Sequence, residues 1–418
     1  MNLEVNETPA KTNANFFLRN FQRTDRIFRF FRKFPAIVRN SVIDQYVRKA
    51  KADAKGRDYP ERMTLFLTNK CNMKCSHCFI IKEVQPKIEM MTLEEYTKLF
   101  RSVRGGVSQV LLTGGEVTLR KDLADIVIAA SREGRINTVN IFSNGFRVKD
   151  IVGHLTKILE NCDININYQT SLDGKKEFHD INRRVPKAFE MSLEAVRQVQ
   201  ELAKKHPGRF SRVIMTTAIS KQNLEDLAGI CEIIKSSGAS PSFCFVRTSD
   251  EVYDLKDESL RSGFTPEKTK ADGSVKFDDG DYLTVEQMER ALGIINDKIW
   301  KMDPGSLNYN YNRVTMEAVK ESKRTGFSPL SDECRMGFDD VVILADGWVS
   351  RCENLNAPVN LRDYDCDLPK MLRSQAWQEF MKKSAGCWCT HDCGIGVSIM
   401  KEAPLLKKLV KSGENLTV

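Results

Sequence analysis

Short apolar segments alternate with amphipathic helical segments from Met63 onward. Helix-period segments such as residues 92–103, where Thr92 and Glu95 have capping-box spacing, and 224–236 separate the apolar segments. Strands connected by helices of this length predict parallel pairing through right-handed crossovers. We therefore expect an α/β fold, a partial TIM barrel of the (β/α)6 type. Its six predicted strands cover residues 63–68, 109–113, 138–143, 166–171, 213–219 and 242–246.

The alternation ends after the sixth strand. Residues 248–281 are polar and rich in Asp, Lys and Gly, which predicts an irregular insertion. A helix is then expected from Thr284, where Gln287 completes a second capping box, to about Met302. The chain is predicted to divide into five parts. They are a helical arm (1–60), a barrel (61–247), an insertion with a helical connection (248–330), a small cysteine-bearing C-terminal domain (331–396) and a basic tail (397–418).

Composition narrows the class of protein. The chain has 418 residues, of which 41% are hydrophobic and 29% charged, so it can form a globular core. It has no run of 18 apolar residues and no recognisable secretory signal. Twelve cysteines then predict a reducing compartment, where thiols bind metal, do chemistry or pack instead of forming disulfides. We expect a cytoplasmic protein.

Positive charge is concentrated near the N-terminus. The formal net charge is +8, and residues 1–56 hold twelve Lys or Arg against five Asp or Glu. The arm predicts a basic amphipathic helix that ends near Pro35 and either covers the open end of the barrel or lies on an anionic membrane surface. No nucleic-acid-binding motif accompanies it. Residues 404–411 repeat the pattern on a smaller scale. One face of the helical wheel carries Phe17, Phe21, Phe28 and Phe31. The other face carries Arg19, Arg26, Arg29 and Lys33.

Three cysteines directly follow the first predicted strand. Cys71, Cys75 and Cys78 have C-x3-C-x2-C spacing, which places three thiols within eight residues. Three thiolates can hold one side of a cuboidal iron–sulfur cluster and leave one iron open, whereas a structural zinc site needs a fourth ligand. An open coordination position is typical of catalytic metal centres. The loop predicts a catalytic iron–sulfur cluster, with a structural zinc loop as the alternative.

This loop resembles the hallmark of the radical S-adenosylmethionine (SAM) superfamily, in which an aromatic residue, here Phe79, follows the three cysteines. The resemblance implies a 4Fe–4S cluster on Cys71, Cys75 and Cys78, with SAM bound at the open iron. It also implies that SAM is reductively cleaved to methionine and a 5'-deoxyadenosyl radical, which abstracts a hydrogen atom from the substrate. His77 is interpreted as a solvent-facing spacer.

Segments at the ends of later strands resemble the family's SAM-binding motifs. Gly114-Gly115-Glu116 matches the segment whose backbone receives the SAM amino group, with Val117 where many members have proline. Arg183 is expected to contact the methionyl carboxylate, and a strand-end serine the nucleoside. The alternative for Glu116 and Arg183 is an ordinary surface ion pair. The alternative for the serine, asparagine and aspartate residues at the strand ends is a role in a turn or a cap. The residues that the resemblance assigns to cofactor binding are Phe79, Gly114, Gly115, Glu116, Ser143, Asn144, Ser171, Asp173, Arg183 and Phe245.

Five more cysteines lie in the C-terminal module. Cys334 and Cys352 flank a predicted hairpin with its turn at residues 346–347, and a C-x-C-x3-C run, Cys387, Cys389 and Cys393, lies further on. The arrangement resembles the SPASM or twitch module and implies one auxiliary 4Fe–4S cluster. The preferred ligands are Cys334, Cys352, Cys389 and Cys393. Cys387 is a near alternative as one of the four ligands, and His391 could also contribute. Zinc is the alternative metal for the same thiolates.

These features predict a radical SAM enzyme of the oxidoreductase or epimerase type. The auxiliary cluster would accept an electron from a substrate radical or assist an epimerisation. Epimerisation needs a second hydrogen donor, for which Cys244 is the internal thiol candidate. An iron–sulfur electron-transfer or scaffold protein is the alternative from another class.

Substrate and partners are predicted from the arm and the resemblance. Only about 60 residues precede the barrel, and their helical, aromatic pattern favours a small alcohol, sugar or lipid-linked substrate over a leader-bound peptide. A peptide-modifying maturase is the alternative. The expected electron donor is a flavodoxin or ferredoxin, and no nucleic-acid partner is expected. An arm that binds lipid would place the protein at the cytoplasmic face of the membrane.

Overall fold

The computed structural model describes residues 29–55, 57–80, 88–247, 252–254, 256–260, 281–330 and 334–411. Most of the predicted insertion lies outside these ranges. So does the predicted N-terminal helix up to residue 28, which includes five of its eight named residues: Phe17, Arg19, Phe21, Arg26 and Phe28.

Six parallel strands form the predicted partial barrel. Each strand pairs in parallel with the next one along the chain. Side chains 63–68 of the first strand are all buried, as expected for a strand covered on both faces. The strands are β1 (Arg62–Thr68), β2 (Gln109–Gly114), β3 (Thr138–Phe142), β4 (Asn165–Ser171), β5 (Phe210–Ile219) and β6 (Ser240–Phe245).

Two strand boundaries differ from the sequence prediction by more than one residue. β5 begins at Phe210, three residues before the predicted start, and β6 begins at Ser240 and includes Pro241. Proline lacks the N–H that a central strand would have to donate. It is tolerated here because β6 is the terminal strand of the sheet.

Helices connect the strands, and the first of them after β1 starts as predicted. The Thr92 side chain accepts from the Glu95 N–H, and the Thr92 N–H donates to the Glu95 carboxylate at 2.7 Å. The helices of this half are α1 (Ala36–Lys55), α2 (Leu93–Ser102), α3 (Leu123–Gly134), α4 (Val148–Asn161), α5 (Lys176–Arg183), α6 (Ala188–Lys205) and α7 (Leu227–Ser237).

The C-terminal third contains short strands and six helices among the residues described. Thr284 and Gln287 form the second predicted capping box at the start of α8. The elements are β7 (Val252–Tyr253), α8 (Val285–Lys298), α9 (Leu307–Thr325), β8 (Asp340–Ile343), β9 (Trp348–Ser350), β10 (Val359–Asn360), α10 (Leu368–Leu372), α11 (Gln375–Lys383), β11 (Trp388–Cys389), α12 (Asp392–Ile399) and α13 (Ala403–Val410).

The C-terminal hairpin continues the sheet of the barrel. β8 pairs in parallel with β1, with Asp340 opposite Arg62, and β9 pairs antiparallel with β8. The sheet therefore has nine strands in the order β10-β9-β8-β1-β2-β3-β4-β5-β6. Because β8 lies beside β1, the cysteine module is held next to the loop that follows β1.

Helices α1 and α13 pack together over a second hydrophobic core. Ile43 and Val47 of α1 and Leu405 and Leu409 of α13 are buried in it, and Lys407 pairs with Asp44 at 2.7 Å. The leucines of segment 404–411 therefore belong to the core, which settles the ambiguity of that segment in favour of packing.

Several large apolar side chains of the arm are exposed to solvent. Eleven large hydrophobic side chains of the described residues are exposed, and five of them form what we call the apolar patch: Phe30, Phe34, Ile37, Val38 and Val42. Phe31 of the predicted aromatic stripe instead packs against the second core. The arm thus covers the protein with one face and presents a second apolar face to solvent. None of the helices described here has both the length and the apolar composition needed to cross a membrane.

Candidate functional site

A cavity of about 480 Å³ occupies the barrel and its rim at the carboxyl ends of the strands. Cys71, Cys75 and Cys78 line it together with most of the residues predicted to bind the cofactor. The structure gathers nine of those ten residues there: Phe79, Gly114, Gly115, Ser143, Asn144, Ser171, Asp173, Arg183 and Phe245. Their roles toward SAM stay predictions.

Hydrogen bonds reach the sulfur atoms of the three-cysteine loop. The Met73 N–H donates to Cys71 Sγ at 3.4 Å, and Arg183 Nη1 donates to Cys75 Sγ at 3.5 Å. Burial raises the pKa of Cys71 to about 11 and that of Cys78 to about 12, so metal binding has to displace thiol protons. Three thiols that share one cavity, with donors directed at their sulfurs, fit one side of an iron–sulfur cluster.

Asp173 and Arg183 form a buried pair beside this loop. Arg183 Nε donates to Asp173 Oδ2 at 2.7 Å, and Asn182 Nδ2 donates to the same oxygen at 3.0 Å. Burial alone would raise the pKa of Asp173, but the Arg183 guanidinium lowers it to about 2, so the carboxylate is ionised. Arg183 therefore holds Asp173 and contacts Cys75 through separate nitrogens, in addition to lining the cavity.

The residues beside this pair were partly misread from the sequence. His77 lies against Asn182, 3.0 Å from its Nδ2, and burial lowers the pKa of its imidazole. The interpretation of His77 as a solvent-facing spacer is wrong, because the residue packs under α5. Sequence reasoning also missed Asn182, whose backbone carbonyl accepts from the Ser76 N–H at 3.0 Å and so fixes the loop. Its position next to Arg183 was the available signal.

Glu116 is the one of the ten predicted cofactor-binding residues that does not line the cavity. It is fully buried behind the cavity wall, and its carboxylate accepts from the Thr118 backbone and hydroxyl, from Ser143 Oγ at 2.9 Å and from the Asn144 N–H at 2.7 Å. Protein donors therefore occupy both oxygens. The carboxylate therefore holds the ends of β2 and β3 together, and the role of this segment's backbone toward the cofactor stays a prediction.

The two glycines before Glu116 allow close backbone contact with the cysteine loop. The Gly115 N–H donates to the Thr68 carbonyl at 2.7 Å. A Cβ atom at Gly115 would lie 2.1 Å from the Lys70 carbonyl oxygen, and one at Gly114 would lie 2.3 Å from that of Thr68. Only glycine leaves room for this approach.

A second group of thiols lines a separate cavity in the C-terminal module. Cys334, Cys352, Cys387 and Cys389 all face this cavity. Burial raises the pKa of Cys389 well above its usual value, and the other three thiols raise it further. The Asn354 N–H donates to Cys352 Sγ and the His391 N–H to Cys389 Sγ, each at 3.4 Å. Four convergent thiols with backbone donors fit one auxiliary 4Fe–4S cluster.

Cys393 does not face this thiol cavity. It lines the barrel cavity, where its side chain is exposed, and the charged groups acting on it are Asp392, Glu353, Arg247 and Arg62. In this structure Cys387 faces the thiol cavity in place of Cys393, which favours the alternative set with Cys387, and the choice of ligands stays a prediction. The reason is local: Cys387 flanks β11, where alternate residues share a face, whereas Cys393 lies in the first turn of α12.

Charged side chains connect the two cavities. Arg247, at the end of β6, pairs with Glu353 and lies 4.7 Å from the centre of the Phe79 ring. His391 Nε2 lies 3.0 Å from Glu353 Oε1, and its Nδ1 lies 3.7 Å from Cys352 Sγ. His391 therefore contacts Glu353 and a ligand candidate, and it lines the thiol cavity, so its own role as a ligand stays a prediction.

Arg351 is a buried arginine that holds the backbone of the auxiliary module. Sequence reasoning missed this residue. Arg351 is 1% exposed, and its guanidinium donates to the backbone carbonyls of Cys334, Met336 and Ser384 at 2.9–3.1 Å. Nothing in the local sequence distinguishes it from a surface arginine, because its acceptors come from two segments that lie apart from it in sequence, around Cys334 and at Ser384.

Comparison with known proteins agrees with this geometry. Residues 65–234 match the model of the Radical SAM superfamily. The chain is 26% identical over 303 residues to the sporulation killing factor maturation protein SkfB of Bacillus subtilis, an alignment that covers 72% of this chain and 62% of SkfB. It is 32% identical to the human molybdenum cofactor biosynthesis protein 1 over 183 residues, which are 43% of this chain and 28% of that protein. It thus spans less than two thirds of the length of these relatives.

A solved structure shares the fold. SuiB of Streptococcus suis, bound to its precursor peptide SuiA, aligns with a TM-score of 0.52 and 16% sequence identity. The alignment covers 81% of this chain and 70% of the SuiB chain. At this identity the likeness concerns the arrangement of strands and helices.

Proposed function

We propose, on the premise that residues 65–234 of this chain form a domain of the Radical SAM superfamily, that the protein is a radical SAM enzyme with one auxiliary 4Fe–4S cluster. The observation that carries the proposal is the single cavity lined by Cys71, Cys75 and Cys78 and by nine predicted cofactor-binding residues. When bound, the cluster and SAM supply a 5'-deoxyadenosyl radical that abstracts a hydrogen atom from the substrate. The protein holds the cluster, orients SAM and excludes competing hydrogen donors.

Reconstituted protein tests this proposal directly. Incubated anaerobically with SAM and dithionite, the wild-type protein is expected to release 5'-deoxyadenosine, measured by liquid chromatography and mass spectrometry. The Cys71→Ala/Cys75→Ala/Cys78→Ala variant is expected to release none while it retains about four irons in the auxiliary site. Cys162→Ala, which changes a thiol outside both cavities, serves as the matched control. If the wild-type protein carries iron but forms no 5'-deoxyadenosine, the radical SAM proposal fails. The protein would then be an iron–sulfur scaffold or electron-transfer protein.

For the substrate class, a peptide is the better supported reading. SkfB is by name a maturation protein for a killing factor, and SuiB binds a precursor peptide. The barrel cavity offers the charged pairs Arg62–Asp340 and Arg247–Glu353 along its wall, which suit a polar main chain. Co-expression with a small peptide encoded next to the gene, followed by peptide mass measurement, tests this reading. The small-molecule reading remains the second candidate.

The apolar patch favours a substrate that is delivered at a membrane. Its five side chains are 40–81% exposed, and basic residues of the same arm, among them Lys33, Arg48 and Lys49, are exposed near it in sequence. Apolar side chains next to lysine and arginine match the interface of an anionic bilayer. We propose that this face docks on anionic lipid.

Vesicle binding tests the docking proposal. The protein is expected to sediment with vesicles that contain phosphatidylglycerol and to remain in solution with pure phosphatidylcholine. Phe34→Ser/Ile37→Ser should weaken binding about tenfold or more, because burying each side chain contributes about 1.5–3 kcal/mol. Phe327→Ser, which removes an exposed ring on another surface, is the control. Equal binding by both variants would refute docking through this face.

A further inference from the structure

The barrel cavity has a polar floor at the end opposite the three-cysteine loop. Arg62, Thr64 and Asp340 line the cavity at this end, and we call them the floor cluster. Arg62 and Asp340 are the first residues of the neighbouring parallel strands β1 and β8, whereas the loop follows the carboxyl end of β1. One cavity therefore connects the floor cluster with the loop where the proposed radical chemistry occurs.

The floor cluster presents donors to the cavity and keeps its carboxylate engaged. Arg62 Nε donates to Asp340 Oδ2 at 2.7 Å, and the Thr64 hydroxyl lies 3.1–3.2 Å from the two oxygens of the same carboxylate. Within the part of the chain that the structure describes, neither Nη atom of Arg62 has a protein acceptor. Asp340 therefore orients the guanidinium through one nitrogen and leaves the outer N–H groups to a ligand.

The other two arginines of the cavity lining are engaged more fully. All three guanidinium nitrogens of Arg183 contact protein side chains, and both Nη atoms of Arg247 do the same. Arg62 is thus the arginine of the cavity whose outer N–H groups are open to a substrate. Donors that are removed from bulk water need acceptors, and a carboxylate satisfies a guanidinium in bidentate geometry.

We propose that Arg62 binds a carboxylate group of the substrate, with Asp340 and Thr64 as the residues that hold the guanidinium in position. This inference rests on the proposed function and deepens it, because it names the chemical group by which the substrate is held in the cavity. In a peptide substrate this group is an acidic side chain. The carboxylate lies at the floor cluster, and the carbon that loses a hydrogen atom lies further along the cavity, toward the three-cysteine loop.

Equilibrium dialysis with two probes of the same shape tests the charge of the ligand. N-acetylglutamate methylamide and N-acetylglutamine methylamide differ in a carboxylate against a neutral amide. In the presence of SAM and without a reductant, the reconstituted wild-type protein is expected to bind the glutamate probe about tenfold or more tightly than the glutamine probe. The reason is that only the carboxylate forms a charge-assisted, bidentate contact with Arg62.

Substitutions at the floor cluster locate the site. Arg62→Met/Asp340→Asn removes the pair without leaving an uncompensated buried charge, and it should bind the two probes equally. Arg62→Lys keeps the charge and loses the planar fork, so it should retain a smaller preference for the glutamate probe. Arg197→Met, which changes an exposed arginine of α6, is the matched control and should behave like the wild-type protein. Each variant is compared at the full iron content of about eight for two clusters.

Pentanoate distinguishes the two sources of the carboxylate, because it carries the acidic group without the amides of a peptide. Weaker binding of pentanoate than of the glutamate probe supports a peptide substrate. Binding that is equally tight and equally dependent on Arg62 supports the carboxylate site and assigns it to a small acidic molecule.

Binding is measured without SAM cleavage, so this inference can fail separately from the proposed function. Wild-type protein that binds both probes equally or binds neither overturns the role of Arg62, and so does a double variant that keeps the preference for the carboxylate. In those cases the release of 5'-deoxyadenosine still supports the proposed function. Wild-type protein that prefers the glutamate probe through Arg62 and releases no 5'-deoxyadenosine overturns the proposed function instead.

Discussion

Gly115→Ala is expected to lower 5'-deoxyadenosine formation about 100-fold, the loss that a displacement of about 1 Å at a reacting centre can cause. The new Cβ atom would lie 2.1 Å from the Lys70 carbonyl oxygen, a position that no rotamer change can relieve because both groups belong to the backbone. The segment before Cys71 would have to move, and the three thiols of the loop would move with it. The rate of 5'-deoxyadenosine release and the iron content measure the effect.

The auxiliary site provides an internal control for this variant. Any iron that Gly115→Ala loses should come from the three-cysteine loop, and the module should keep its irons, because the module's thiols lie in a different cavity. Gly153→Ala is the matched substitution, since a Cβ atom there meets nothing within 4 Å. It lies inside α4 and should be neutral or slightly stabilising. Full activity of Gly115→Ala would show that the loop position is not set by this contact.

The sequence predicts those parts of the fold that depend on residues close to one another in the chain. The six strands were found because apolar runs and helical periods alternate, and the starts of α2 and α8 were found because Thr92 and Thr284 each precede a Glu or Gln at capping distance. The pairing of β8 with β1 could not be predicted, since it joins residues almost 280 positions apart, such as Arg62 and Asp340.

The choice of auxiliary ligands also depends on contacts between residues far apart in the sequence. The spacing of Cys387, Cys389 and Cys393 is compatible with several ligand sets, and the choice depends on secondary structure. β11 places Cys387 and Cys389 on one face, and it forms by pairing with β7, in a region that the sequence presented as an irregular insertion. The α12 helix then directs Cys393 toward the barrel. Alternation in the C-x-C segment is the sequence signal that favours Cys387 as a ligand.

Arg247→Met is expected to destabilise the protein by about 3–5 kcal/mol, because it leaves a buried carboxylate without its cation. The Glu353 side chain is 9% exposed and pairs with Arg247. Arg247 also donates to Asn354 Oδ1 at 2.8 Å and lies over the Phe79 ring. The variant therefore removes the connection between β6, the residue after Cys78 and the auxiliary module. Urea unfolding of the reconstituted protein under anaerobic conditions, followed by tryptophan fluorescence, measures the loss.

The double variant distinguishes an unpaired charge from lost packing. If the uncompensated Glu353 carboxylate causes most of the destabilisation, Arg247→Met/Glu353→Gln should be more stable than Arg247→Met alone, because replacing a buried pair by neutral groups is often close to neutral. Arg197→Met on α6, which breaks a surface pair with Glu194, should cost no more than about 1 kcal/mol. A double variant as unstable as the sum of the single changes would mean that Arg247 acts through Phe79 and Asn354 instead. In that case the loss of auxiliary iron should follow Arg247→Met and be absent from Glu353→Gln.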